Sequence, residues 1–181
     1  MRVEALAIPE VLLITRERHE DERGWFTELY NHAEHRQAGL GATFVQDNVS
    51  RSLPGVVRGL HFQVDPSQGK LVTCLEGRIF DVAVDIRPDS ETFGQHVAVE
   101  LMGDGRHSLW VPPGFAHGFA VLGDLPATLI YKVDAPRSEA GERGIRWDDP
   151  DLAIPWPVRE PRLSVRDRRL PLFAEYRTEQ R

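Results

Sequence analysis

An all-β fold of the jelly-roll type, a β-barrel with a few short peripheral helices, is what this sequence predicts, and three observations carry it. In RIFDVAVDIR, Phe80, Val82, Val84 and Ile86 alternate with Ile79, Asp81, Ala83 and Asp85, the period of two of a strand. Similar short runs recur along most of the chain. Turn signals separate them at the spacing of a sandwich or barrel: Leu53-Pro54-Gly55, Glu76-Gly77, Gly103-Asp104-Gly105, Pro113-Gly114 and Gly123-Asp124. No internal repeat or low-complexity tract interrupts this rhythm.

In chain order, MRVEALAIPEVLLITRE mixes charge with apolar runs too short for a signal peptide or a membrane span, so a cytoplasmic location is expected. One early helix is predicted over 31–38, with Asn31 as N-cap, Glu34 three residues on and Gly39 as terminator. Strands follow at FVQDNVS, VVRGLHFQV, KLVTCLEG, RIFDVAVDIR, HVAVEL, RHSLWVP, HGFAVL and ATLIYKV. From about residue 148 to 181, proline and charge predict a tail that wraps the barrel with at most short helices. The whole, 181 residues, is expected to be one domain.

The formal charge of −6 excludes broad, sequence-independent nucleic-acid binding, which needs a cationic surface to displace counterions. An anionic ligand would need local arginines and lysines. The single cysteine, Cys74, cannot form an internal disulfide, and in LVTCLEG it reads as an inert packing residue.

Polar residues in the interior of such a fold need a reason to be there. Alternation puts Gln46 and Asn48 on the face of Phe44 and Ser50, His61 with Gly59 and Gln63, Lys70 with Val72 and Cys74, and Tyr131 with Leu129 and Val133. Strict alternation turns Arg58 away from His61 unless a bulge at Gly59 re-aims it, and both readings stay open. A metal would call for two or three histidines and a carboxylate at strand spacing. Here Phe62 and Gln63 follow His61, and Lys70 stands where an acid would complete the set, so no metal is expected, although His107 and His117 lie downstream.

Ten ordered blocks, DERGWFTELYN, FVQDNVSRS, VVRGLHFQ, QGKLV, GRIFDVAVDIR, TFG, LWVPPGFAHGF, LIYKVDAP, ERGIRWDDP and PRLSVRD, resemble the dTDP-4-dehydrorhamnose 3,5-epimerase family of cupin-fold enzymes from about Glu4 to Pro171. The resemblance implies that His61 is the general base, oriented by Asp167, that Tyr131 is the opposing acid, and that Lys70 sits beside the substrate's keto oxygen. It puts Arg23, Glu28, Gln46, Asn48 and Arg58 where the family contacts nucleotide, diphosphate or sugar. It further implies no cofactor, a dTDP-linked 4-keto-6-deoxyhexose as partner rather than nucleic acid or membrane, and a homodimer in which about residues 1–30 cross to the partner.

Those residue types suit the reaction. Carbons 3 and 5 of such a sugar are both α to the ketone, so their protons are the acidic ones, and a fixed cation at the keto oxygen lowers the barrier to removing them. Each residue also has a plainer reading: His61 as a structural histidine, Asp167 as a surface charge in VRDRR, Tyr131 as a core tyrosine. His117 either packs or reaches the sugar. Trp25, Trp110 and Trp147 read as packing residues, and His19, His32, His35 and His96 as solvated. Two departures stand out: Val49 replaces a histidine common in the family, and Arg137 takes the place of a tyrosine. Inversion at one carbon only, keto-isomerisation of a related nucleotide sugar, and a non-catalytic sugar- or metal-binding cupin are therefore the competing readings.

Overall fold

The structure, a computed structural model, describes residues 1–179. Its strands are β1 (Arg2–Ala5), β2 (Leu12–Thr15), β3 (His19–Asp21), β4 (Gly24–Phe26), β5 (Gln46–Ser52), β6 (Val57–Gln63), β7 (Lys70–Glu76), β8 (Arg78–Asp85), β9 (His96–Met102), β10 (His107–Val111), β11 (Phe115–Val121), β12 (Ala127–Val133) and β13 (Glu142–Gly144). The predicted runs from Phe44 to Val133 became β5 to β12. The first four strands and β13, three or four residues each, carry too little alternation to be read in advance.

A six-stranded sheet in the order β1-β2-β10-β7-β12-β5 faces a five-stranded sheet in the order β13-β6-β11-β8-β9, while β3 and β4 form a separate hairpin. The pairings within both sheets are antiparallel, and the arrangement is the jelly roll expected.

Three apolar clusters hold these layers. Val72, Cys74, Leu109 and Leu129 of one sheet meet Ile79, Ala83, Leu101 and Phe115 of the other in the space between them. The outer face of the five-stranded sheet, through Leu60, Phe62, Val82 and Val84, lies under Ile145, Leu152 and Phe173. That explains why both alternating sets of β8 are buried along most of the strand: each enters a different layer. The outer face of the six-stranded sheet buries Ile14, Leu71 and Trp110 against Tyr30, Leu40 and Phe44. Each such side chain removed from water contributes about 1.5–3 kcal/mol. Cys74 is fully buried in the first cluster, and burial pushes its thiol up to about 11.

The early helix, α1 (His32–Gln37), starts as predicted, with Asn31 Oδ1 accepting from the N–H groups of Ala33 and Glu34 at 3.1 and 3.3 Å. One expectation on it fails. His35 is not solvated but 3 % exposed, its Nδ1 2.8 Å from the Asn31 carbonyl and its ring 4.8 Å from Tyr30, because the helix lays that face on the sheet. The tail forms a single 3-10 turn (Asp167–Arg169) and a short helix, α2 (Phe173–Glu179). Among the described residues no helix is long and apolar enough to cross a membrane.

Gly59 fixes the geometry of β6. Opposite β11, His61 pairs with His117 and Arg58 with Phe119, so two residues of β6 stand against one of β11. Gly59 has φ +129°, and a Cβ there would lie 2.6 Å from Gly118 Cα. A Gly59→Ala variant should therefore lose about 2–4 kcal/mol of stability. Gly41→Ala, where the Cβ meets nothing within 4 Å, should stay near neutral. Denaturant midpoints of the two variants check this, and equal midpoints would refute the bulge as a required feature.

Candidate active site

The inward face of β5 carries Gln46, Asn48 and Ser50 toward the space between the sheets, with Gln46 Nε2 donating to Asn48 Oδ1 at 2.7 Å. Beside Asn48, in register, β12 places Tyr131, and on its other side β7 contributes the stripe Lys70, Val72 and Cys74. From the facing sheet β6 offers His61 and Gln63, and β11 offers His117, the direct partner of His61. The bulge at Gly59 brings Arg58 onto the same wall, where its Nε donates to Ser52 Oγ at 2.9 Å. Strict alternation would have turned it away, so the open question about Arg58 is decided by the extra residue.

Two chambers share His61, Lys70 and Tyr131 in their walls. The inner one, of about 140 Å³, is closed by Ser50, Arg58, His117, Phe119 and Leu129. The outer one, of about 180 Å³, is lined by Gln46 and Asn48 and opens between Arg137, Glu142, Arg143 and Arg166.

His61 Nε2 lies 2.6 Å from Asp167 Oδ1. A carboxylate accepts, so Nε2 carries the proton and Nδ1 is left as the basic nitrogen. Asp167 is 3 % exposed. Burial works against its charge, but the hydrogen bond and charge of His61, the Ser164 hydroxyl and Arg166 outweigh that and hold its carboxyl below the usual range. A second pair repeats the pattern: His117 Nε2 stands 2.7 Å from Asp81 Oδ1, and Asp81 is fully buried.

Lys70 is 8 % exposed, and burial pulls its ammonium down to about 8 against the opposing pull of Asp134 and Glu142. Burial raises the Tyr131 phenol, with Arg58 and Arg137 working the other way. Among the described residues no group of three or more His, Cys, Asp and Glu side chains stands where it could hold a metal ion. His107 lies on β10, opposite Thr15, away from both chambers.

Of the residues singled out from sequence, His61, Lys70, Tyr131, Gln46, Asn48, Arg58 and His117 converge on these chambers, with Asp167 directly behind His61. Arg23 and Glu28 do not. Arg23 sits exposed at the turn of the β3–β4 hairpin, bonded to Asp21 at 2.5 Å, and Glu28 lines a separate cavity of about 310 Å³ with Arg16 and His35. Sequence reasoning missed Glu142 and Arg166 at the mouth. The only signal was their position inside the blocks ERGIRWDDP and PRLSVRD, one of them immediately before Asp167.

Comparison with known proteins follows the same lines. The sequence model of the family described as dTDP-4-dehydrorhamnose 3,5-epimerase matches residues 5–175. A protein of that name from Shigella flexneri is 48 % identical over 169 residues, covering 92 % of this chain and 93 % of its own. A dTDP-4-dehydrorhamnose 3-epimerase from Streptomyces niveus is 41 % identical over 179 residues, 98 % of this chain and 86 % of its own. Among solved structures, the Legionella pneumophila dTDP-6-deoxy-D-glucose-3,5-epimerase in complex with dTDP-4-keto-L-rhamnose superposes with a TM-score of 0.91 at 43 % identity, covering 97 % of this chain and 96 % of that one.

The buried ammonium gives the site a thermodynamic signature. Lys70 has an ordinary value of 10.5 and about 8 in the fold, so between these the unfolded chain binds more protons and stability rises with pH. Below about pH 8 the charged group costs the fold up to about 3 kcal/mol. Lys70→Met should therefore unfold at higher denaturant than the parent at pH 7, with the gain shrinking toward pH 10. A Lys70→Met protein less stable than the parent at pH 7 would contradict this.

Proposed function

The chain belongs to the dTDP-4-dehydrorhamnose 3,5-epimerase family of isomerases, and we propose that it inverts carbons 3 and 5 of dTDP-4-dehydro-6-deoxy-D-glucose, giving dTDP-4-dehydro-L-rhamnose. The observation that carries the reading is one imidazole, tied at Nε2 to a buried carboxylate, sharing its chambers with an ammonium and a phenol.

In this reading His61 Nδ1 takes the proton from the carbon α to the ketone, and the electron pair of the broken C–H bond moves onto the keto oxygen. Asp167 stabilises the imidazolium that results. Lys70 donates to the enolate oxygen as the charge appears, and its lowered pKa makes it a stronger donor there than a solvated lysine. Tyr131, on the opposing sheet, returns a proton to the other face of the same carbon, which completes the inversion. His61 and the phenolate then exchange protons with water, and the second carbon repeats the cycle. Gln46, Asn48, Arg58 and His117 hold the sugar by its hydroxyls and its phosphate end.

We assign the working unit as a homodimer. Arg23 and Glu28 stand outside the chambers of their own chain, and the hairpin that carries Arg23 presents Trp25 and Phe26 at 49 % and 68 % exposure. Both features suit a hairpin that reaches the site of a second copy. A cytoplasmic setting fits a chain whose one thiol is buried and unpaired.

A single-carbon outcome is the second reading, favoured by the similarity to the Streptomyces niveus 3-epimerase and by Arg137 at a position near the sugar. Turnover in deuterated water with dTDP-4-dehydro-6-deoxy-D-glucose separates the two: label should enter at carbons 3 and 5, whereas label at carbon 3 alone establishes the second reading. His61→Asn and Tyr131→Phe should each slow epimerisation by about 10²–10⁴, and variants that work at the parent rate would remove the roles assigned. The kcat/KM profile should fall above about pH 8 as Lys70 loses its proton, and Lys70→Arg should push that limb to higher pH.

A further inference from the structure

His61 stands on the five-stranded sheet and Lys70 and Tyr131 on the six-stranded one, so the spacing of the sheets sets the distance from the imidazole to the ammonium and the phenol. Two loops cross between the sheets at this end. Residues 64–69 run from β6 to β7, from the strand of His61 to that of Lys70, and residues 134–141 run from β12, the strand of Tyr131, to β13.

Gln63 joins the two crossings. It ends β6, two residues beyond His61 and on the same face, and is 5 % exposed. Its Nε2 donates to the Pro66 carbonyl in the first loop at 2.7 Å and to the Pro136 carbonyl in the second at 3.1 Å. Its Oε1 accepts from Ser138 N–H at 2.8 Å. Both amide hydrogens are therefore committed to main chain and neither is left for a ligand. Two more side chains join the same loops: Gln68 Nε2 donates to the Ala135 carbonyl at 2.7 Å, and Asp134 Oδ1 accepts from Gly69 N–H at 2.6 Å. Among the described residues, main-chain bonds link the loops only at their ends, from Val64 N–H to the Gly141 carbonyl at 3.0 Å and from Asp134 N–H to the Gly69 carbonyl at 3.4 Å.

We propose that Gln63 is a positioning residue for epimerisation: its side-chain amide locks the two crossings together and so holds Lys70 at a fixed place relative to His61. The inference rests on the epimerase reading and adds to it a residue that acts through the main chain. The packing next to Lys70 shows how little slack the joint leaves. A Cβ on Gly69, the residue before Lys70, would lie 2.5 Å from the Trp110 ring and 2.8 Å from Asp134 Oδ2. Without the amide, the carbonyls of Pro66 and Pro136 and the N–H of Ser138 turn to water instead. That water also reaches Lys70, which lines the outer chamber together with Gln63.

The direction of the effect follows from what surrounds the ammonium. Arg58, His61 and His117 face it from the other sheet and Tyr131 from its own, while Asp134 and Glu142 are the carboxylates that act on it. Burial is the largest cause of its lowered pKa, ahead of the opposing pull of Asp134. Opening the joint therefore raises the value, even where Asp134 moves away with its loop.

The chain has two lysines, Lys70 and Lys132, which makes the test direct. An NMR titration of the full-length protein labelled with carbon-13 at lysine Cε follows both, and Lys132, bonded to Asp47 at 2.7 Å outside both chambers, is the internal reference. Gln63→Met keeps the length of the side chain and removes its polar atoms. In it the Lys70 midpoint should rise by about one pH unit, the Lys132 signal should match the parent, and kcat at pH 7 should fall about tenfold. Gln68→Met, which breaks one bond of the same joint, should move Lys70 the same way by less, and it decides the question where Gln63→Met does not fold. A folded Gln63→Met protein with the parent's Lys70 midpoint or the parent's kcat overturns the assignment, whatever its denaturant midpoint, because a merely structural amide would change stability alone. A parent protein that does not epimerise overturns the epimerase reading, and the lysine titration still tests the joint.

Discussion

The hydrogen bond between His61 and Asp167 joins residues 106 apart in sequence, and the site depends on it. Asp167 reaches the ring only because the C-terminal segment runs back over the outer face of the five-stranded sheet. That segment is pinned along its length. Arg162 bridges to Val56 in parallel, Asp149 Oδ1 accepts from the N–H groups of Asp151 and Leu152, and Asp149 Oδ2 accepts from Phe173 N–H at 2.8 Å. Ile145, Leu152 and Phe173 then bury against Leu60 and Phe62, the neighbours of His61 on β6. One strand therefore serves two layers at once: its outward residues hold the tail, and the tail's carboxylate holds its inward histidine.

The same economy explains why the interior accepts so much polarity. Lys70 continues a stripe whose other members, Val72 and Cys74, are core residues, so the ammonium is desolvated by the packing that stabilises the sheet. Ser50 Oγ and Asp81 Oδ2 are buried without a hydrogen-bond partner among the described residues. A fold selected for stability alone would replace such groups with apolar ones. Lys70 and Ser50 border the chambers, and Asp81 on β8 stands behind His117, while the apolar cluster fills the rest of the space between the sheets.

How much of this could be read from the chain divides along physical lines. Alternation gave the phase of β5, β7 and β12 directly, because each turns one alternating set into the space between the sheets and no bulge interrupts the residues concerned. It failed at Arg58, where the phase depends on an extra residue whose presence only the pairing with β11 reveals. Charge-bearing residues at the mouth were not legible, since Glu142 and Arg166 are 24 residues apart and meet through the course of the tail. His35 misled for the opposite reason: its neighbours in sequence, Glu34 and Arg36, are exposed, but helical geometry turns the third residue of the group inward. Arg23 and Glu28 carried a family signal, and their own chain does not bring them to the chambers.

Two histidines in direct register, each bonded to an aspartate, raise the question of which can serve as the base. His61 and His117 share the tautomer that leaves Nδ1 free, so hydrogen bonding does not separate them. Access does. The His61 side chain is 37 % exposed and borders both chambers and the neighbouring groove of Arg162 and Ser164, whereas His117 is 11 % exposed and borders the inner chamber alone. A base that inverts carbon must pass its proton to water in every cycle, and a ring beside solvent does this without a relay. His117, held by a carboxylate that water does not reach, is suited instead to a fixed contact with the sugar. The difference between the two pairs thus comes from burial of the same chemistry at two depths of one cleft.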